Sequence, residues 1–463
     1  MRHRCRTSLF TVLVALVALA PSTAVPLAAS TPASLDPGPR PPDPDPAALA
    51  RMPEAPTAIP GAVPAAPCPA GVAPSGLDAF SGTAAEAPLP GAPPPGAGAG
   101  VLVALVDTGV APHPRLAGRV SDGGDFVAGR SALDDCDGHG TAVAGLIAAA
   151  PSGADLVQGR APAARLLAVR QASAWVRSPG RTGAGDVGTL ARAVRHAAAT
   201  PGVSVMTLAL AGCATPETVE APASREPLEA LRAAVREATD RGVVVVAAAG
   251  NVPVPGASGP TVEGGCGPQN TPDRIATVPV PAWFDDDVLT VGAVGGAGDG
   301  RPDPASLRGP WVDVAAPGRV AASLDARGPG LTVALSIPGA TPSPLVGTSF
   351  AVARVAAVAA ELRRREPALP AREVAARITR TATPLPGRTA GARDPAVGSG
   401  VLDADAALAD VAPAPATGPP DPAPPDPVPA GTDTGAVALV VVVLAVLAVG
   451  ILSVGVVRRR RSR

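Results

Sequence analysis

"VVVVAAAGNVPVP", residues 243–255, decides the architecture. Val243 to Ala249 is an unbroken apolar run, with no polar position for a wet face. A half-buried strand alternates apolar and polar; a strand covered on both faces does not. The run therefore predicts a core strand of a parallel sheet. It stops at Gly250-Asn251, and Asn251 is one of two asparagines in the chain, the other being Asn270. A carboxamide at the end of a core strand must find partners or face solvent. It can close a turn, or it can aim a donor at a reacting oxygen.

The pattern repeats on either side. "VLVALVD" (101–107), "ARLLAVR" (164–170), "VSVMTLAL" (203–210) and "DVLTVGAV" (287–294) read as further strands. Helical patterns lie between and after them: "GTAVAGLIAAA" (140–150), "VGTLARAVRHAAAT" (187–200), "PLEALRAAVREATDRG" (227–242) and "SFAVARVAAVAAELRRREP" (349–367). Apolar strands alternating with helices argue a parallel sheet sheathed on both faces. Such sheets bind ligands beyond the carboxyl ends of their strands. Asn251 and Asp107 both sit at such ends. "GAGAG" (96–100) precedes its strand instead of following one, which excludes the dinucleotide fingerprint.

Three stretches carry chemistry. "VALVDTGV" ends a strand in Asp107, "DDCDGHGTAVAGL" opens a helix at His139, and "PLVGTSFAVARVAA" opens the longest helix at Ser349. Of the other histidines, His3 lies in the N-terminal leader, His113 in a Pro-rich turn and His196 in a helix pattern. A serine hydroxyl needs a base to become a nucleophile, and a neutral imidazole can serve, then protonate the leaving amine. A carboxylate fixes the imidazole tautomer. The tetrahedral intermediate needs donors for its oxyanion, and a helix N-terminus plus an asparagine amide can supply them. Taken singly, Asp107 is a strand cap, His139 a core histidine and Ser349 an N-cap. Together, in that order and all at element termini, they describe a hydrolytic site.

The two ends of the chain have a different character. Arg2, His3, Arg4 and Arg6 precede "LFTVLVALVALA" and then "PSTAVPLAAS", the order of a secretory signal over 1–30, with cleavage expected between 24 and 30. "GAVALVVVVLAVLAVGILSVGVV" (435–457) is uncharged and long enough to span a bilayer. "RRRRSR" (458–463) follows and stays cytoplasmic, which places the bulk of the chain outside as a single-pass protein of the cell membrane. With 59 Pro and 52 Gly, the chain has material for extended connectors. They fall at 31–97, a Pro/Ala-rich arm, and at 412–434, a Pro-rich stalk, and so bound a body over 98–411. Net charge is -1, so no global field points to nucleic acid. Outside the leader, Cys68, Cys136, Cys213 and Cys266 occupy an oxidising compartment with three possible pairings, and the absence of CxxC spacing argues against a zinc cage. A cysteine in the arm suggests a covalent tether to the body.

"LVDTGV" (105–110), "DGHGTAVAG" (137–145), "VVVVAAAGN" (243–251) and "VGTSFAVARVAA" (346–357) resemble the four signature segments of the subtilisin-like serine proteases, the subtilases. The resemblance covers about 98–411. It implies an α/β, three-layer fold on a seven-stranded parallel sheet, with the Pro-rich arm and one C-terminal transmembrane helix appended. It implies Asp107, His139 and Ser349 as triad, Asn251 and Ser349 as oxyanion donors, a protein or peptide substrate, and no cofactor or metal. The order of leader, arm, body, stalk, apolar span and basic tail is similar to the mycosins, membrane-anchored subtilases of type VII secretion. That likeness implies an arm wrapped on the body, Cys68 paired with Cys136, Cys213 with Cys266, and a secretion membrane complex as partner. It also leaves open a scaffold with little proteolysis.

Departures are visible. The family's proline, the residue after it and its glycine beyond the serine are here Ala353, Arg354 and Ala357, and "VMTLAL" (205–210) has Thr207 and Ala209 where the family has Asn and Ser. "DDCDG" (134–138) has the carboxylates of a calcium loop, but they are expected to shape the turn before His139.

Overall fold

A computed structural model describes residues 38–411, except 65–66, 69–92, 154, 182, 255–265, 296–299, 337–338, 340 and 389–391. Its centre is one sheet of seven strands: β1 Leu102–Asp107, β2 Val120–Asp125, β3 Arg165–Arg170, β4 Val203–Leu208, β5 Val244–Ala248, β6 Leu289–Val294 and β7 Val314–Pro317. The strands run in the order β7-β6-β5-β4-β1-β3-β2 and every pair is parallel. The chain enters at β1, fills one side with β2 and β3, then crosses to the other with β4. The end of β1, where Asp107 lies, is therefore the topological switch point.

Alternation along the strands splits the core in two. Val103 and Leu105 of β1, with Val244, Val246 and Ala248 of β5, face one layer, where helices α1 (His139–Ala148) and α4 (Thr348–Arg365) lie. Leu102, Ala104 and Val106, with Val245 and Ala247, face the other, covered by α2 (Val187–Ala199) and α3 (Pro222–Asp240). Only 2% of the chain is aromatic, so Ala and Val fill both layers. Small side chains let α4 lie close against the sheet, and it is buried from Thr348 through Arg363. Helix α5 (Ala371–Arg380) follows.

The strand readings from 101 to 107, 164 to 170 and 203 to 210 hold to within a residue or two. The helix expected at 227–242 starts earlier, at Pro222, with Pro227 inside its first turns. β2 and β7 carry no strong strand signal. "VSDGGD" is polar because β2 is an edge, and "VAAP" is short and ends in proline.

The arm is more ordered than its composition suggests. Asp45 caps a short helix, Pro46–Ala50, whose Ala48 and Leu49 are buried against the α2–α3 layer. Trp283 Nε1 donates to Pro39 O at 2.9 Å, Arg232 to Pro42 O at 2.7 Å and Arg195 to Leu49 O at 2.8 Å. Val63–Pro64 then pairs antiparallel with Val176–Arg177, and Cys68 is bonded to Cys136. The arm's main-chain carbonyls serve as acceptors, and Trp283, Arg232 and Arg195 of the body take them. The leader, stalk, apolar span and basic tail lie outside the described residues, among which no helix is long and apolar enough to cross a membrane.

Candidate active site

The sheet delivers two pairs of groups to one rim. From β1, Asp107 is fully buried, and its Oδ1 accepts from His139 Nδ1 at 2.7 Å and from Thr108 N at 2.7 Å. His139 opens α1, and its side chain keeps 15% exposure, so the ring is not wholly covered. The second pair stands at the start of α4. Asn251, just beyond β5, accepts through Oδ1 from Thr348 N at 3.0 Å and from Thr348 Oγ1 at 3.3 Å. With Oδ1 committed, Nδ2 has no acceptor among the described residues, and the side chain is exposed. Gly347 has a left-handed φ of 150°, and a Cβ there would stand 3.1 Å from Asn251 Nδ2, so glycine keeps that donor uncovered.

Ser349 follows Thr348, 7% exposed, at the positive end of α4. The Phe350 ring joins the two pairs, its centroid 5.7 Å from that of His139. No hydrogen bond joins Ser349 Oγ to His139 among the described residues. In free enzymes such bonds are often long and tighten only with substrate.

Residues 98–400 match the model of the subtilase family. The chain belongs to the subtilase family.

Among curated subtilases it is 44% identical to mycosin-4 of Mycobacterium tuberculosis over 322 residues, 67% of this chain and 65% of that protein. It is 39% identical to mycosin-1 of the same organism over 415 residues, 85% of each. Among solved structures, MycP3 protease from the type VII (ESX-3) secretion system superposes with a TM-score of 0.61 at 35% identity, over 80% of this chain and 99% of that one. A chain of an intact ESX-5 inner membrane complex superposes with a TM-score of 0.64 at 33% identity, over 89% and 98%.

The electrostatics of this subtilase centre on His139. Burial alone would push its imidazolium down, but the Asp107 carboxylate against Nδ1, with Asp135 and Asp137 nearby, more than offsets that and holds the ring above its ordinary value. The acidic "DDCDG" turn is saturated by the protein itself. Asp135 accepts from Thr108 Oγ1 at 2.8 Å, Gly138 N at 2.9 Å, Thr141 N at 2.8 Å and Thr141 Oγ1 at 2.6 Å. Asp137 accepts from Ser173 Oγ at 2.6 Å and Ala174 N at 2.7 Å, and burial pushes it up to about 6. These bonds tie the end of β1 and the 171–185 loop to the turn that carries His139, as expected of a turn-shaping segment.

The other histidines are engaged elsewhere. His113 Nδ1 accepts from Arg115 N at 3.1 Å and its Nε2 faces Gly330 O at 3.0 Å. His196 packs edge-on against Phe126, with centroids 5.6 Å apart. The departures from the family pattern lie in the core. Ala353, Arg354 and Ala357 are buried within α4, and Thr207 is buried with its hydroxyl toward Ala104 O at 3.5 Å. Two contributors escaped the sequence reading. Thr348 orients Asn251, and Arg327, from a distant hairpin, donates to Asp135 O at 2.7 Å and to Cys136 O. The "GTS" context marks the first; nothing local marks the second.

Proposed function

We propose that this chain is an exported, membrane-anchored serine endopeptidase acting beside a type VII secretion membrane complex. The observation that carries it is the Asp107–His139 bond of 2.7 Å at the same sheet rim as the Asn251–Thr348–Ser349 turn. In the proposed reaction, His139 Nε2 takes the proton from Ser349 Oγ as it attacks the scissile carbonyl. Asp107 keeps the proton on Nδ1 and stabilises the imidazolium. Ser349 N and Asn251 Nδ2 receive the oxyanion. The imidazolium then protonates the leaving amine, and water repeats the sequence on the acyl-enzyme. The mycosin relatives and the likeness to chains of the ESX-3 and ESX-5 systems support the secretion setting; the 435–457 run and its basic tail support the anchor. A second role, bracing a secretion complex, is favoured by the extent of the likeness to a chain of the ESX-5 inner membrane complex.

A fluorophosphonate serine probe tests the enzymatic reading. Wild type should label at Ser349, and Ser349→Ala should not. A folded wild type that never labels would turn the assignment to the bracing role alone.

A further inference from the structure

We propose that the Cys213–Cys266 disulfide is a positioning element for Asn251, holding the strand-end backbone from which the amide projects. This rests on the oxyanion role proposed for Asn251. Asn251 is exposed, so beyond the Thr348 bonds to its Oδ1 the position of the amide depends on the backbone from which it projects. That backbone is gripped on two sides. On one, Leu307 N donates to Gly250 O at 2.9 Å and Val252 N to Ala305 O at 2.8 Å. On the other stands the disulfide. Gly250 has φ +99°, and a Cβ there would lie 2.6 Å from Cys266 Sγ and 3.3 Å from Cys213 Sγ. No other residue type leaves the sulfurs room to press against the peptide next to Asn251.

Cys266 also acts through its main chain, donating N–H to Asn251 O at 3.1 Å. This bond holds Cys266 directly against the strand end. The disulfide carries the restraint to a fixed point. Cys213 lies in a short strand, Gly212–Ala214, paired antiparallel with Val278–Val280, with Cys213 opposite Pro279. Val252, Cys266 and Leu307 pack with Cys213 as a separate small cluster. The covalent bond thus links Cys266, which donates to the strand-end carbonyl, to a strand outside the main sheet. Without it, Cys266 keeps its hydrogen bond to Asn251 and its apolar packing but no covalent anchor, and the amide samples a wider range. An oxyanion donor is useful only when preorganised, so the loss falls on the transition state and spares substrate binding.

The test is a double-mutant cycle on the full-length chain in detergent, with kcat expressed per titrated active site. Cys213→Ser/Cys266→Ser should lower kcat about tenfold, a fraction of the full loss of the donor, with KM within about twofold. A version that keeps the apolar cluster, Cys213→Ala/Cys266→Val, should lose a similar factor, which separates positioning from loss of packing. Adding Asn251→Ala to either pair should cost far less than Asn251→Ala costs in wild type, because both changes remove one interaction. Affinity for a peptide boronate should fall in parallel with kcat. If Asn251→Ala lowers kcat while the cysteine pairs leave it unchanged, or if the losses multiply fully, the positioning role is overturned. If Asn251→Ala itself leaves kcat intact, the oxyanion assignment is what fails, and this inference falls with it.

Discussion

Asn251 and Thr348 divide the work of one amide between them. Thr348 occupies the acceptor oxygen, and among the described residues nothing accepts from the donor nitrogen, so the amide is available as a donor at the strand end. Asn251→Ala should lower kcat by roughly 10²–10³ with little change in KM, as removal of an oxyanion donor does; steady-state kinetics on a peptide ester would show it. For His139 the sign follows from Asp107. The base must be neutral, and its folded value lies above the ordinary imidazole value, so kcat/KM should rise with pH along an acid limb centred above about pH 6.5. Asp107→Asn should move that limb down and lower kcat on the order of 10⁴-fold, because the tautomer is no longer fixed. Asp107 and Asn251 stand out in the sequence because each closes an apolar strand run, and His139 and Ser349 because each stands at the start of a helix within a segment that resembles the family's signatures. The grip of Thr348 on Asn251 and of Asp135 on its four donors was not legible there. Those are tertiary hydrogen bonds between residues up to 97 positions apart, and no periodicity records them.

At the scale of elements, burial on both faces made the central strands readable. "VLVALVD" and "VVVVAAAG" are apolar without interruption because helices cover both sides of β1 and β5. The same reasoning misses the rims. β2, with its glycines and aspartates, has one neighbour, and its identity as a strand comes from pairing with β3. The helices owe their positions to small residues. α4 lies over the sheet along "AVARVAAVAA", where Ala356 and Ala357 are fully buried. Enlarging such a position forces the helix off the sheet. Ala356→Leu should cost about 1–3 kcal/mol, read as a lower midpoint in urea with an unchanged slope. Because α4 also carries Ser349, the same variant should lose activity before it loses its fold.

The whole molecule is a body with an arm strapped across it. The strap runs from Pro39 over α3 and α2 to Cys68, whose partner Cys136 lies three residues before His139. Composition marked the arm as proline-rich but not where it lies, since its contacts are mostly main-chain carbonyls meeting Arg195, Arg232 and Trp283 far along the chain. Leu49 is the arm's buried anchor, and Leu49→Ala should cost about 2–5 kcal/mol if the arm and body unfold together, and nothing in calorimetry if the arm is loose. Stability should also depend on pH in an unusual direction. Burial pushes Asp313 up to about 7 and Asp137 up to about 6. Both folded values exceed that of the unfolded chain, so their contribution is complete below about pH 4 and is lost as pH rises through the folded values. The contribution of these two groups to the melting temperature should decline between about pH 4 and pH 7, and Asp313→Asn should flatten that decline.

The most direct test of the central claim, that residues from β1, α1, the end of β5 and α4 form one hydrolytic centre, is a structure of the protein treated with a peptide boronate. A covalent bond at Ser349 Oγ is expected, with His139 Nε2 in contact with the adduct and a boronate oxygen about 2.7–3.1 Å from Asn251 Nδ2. An adduct whose oxygens turn away from Asn251 and His139, or no adduct at Ser349 in a folded protein, would contradict it.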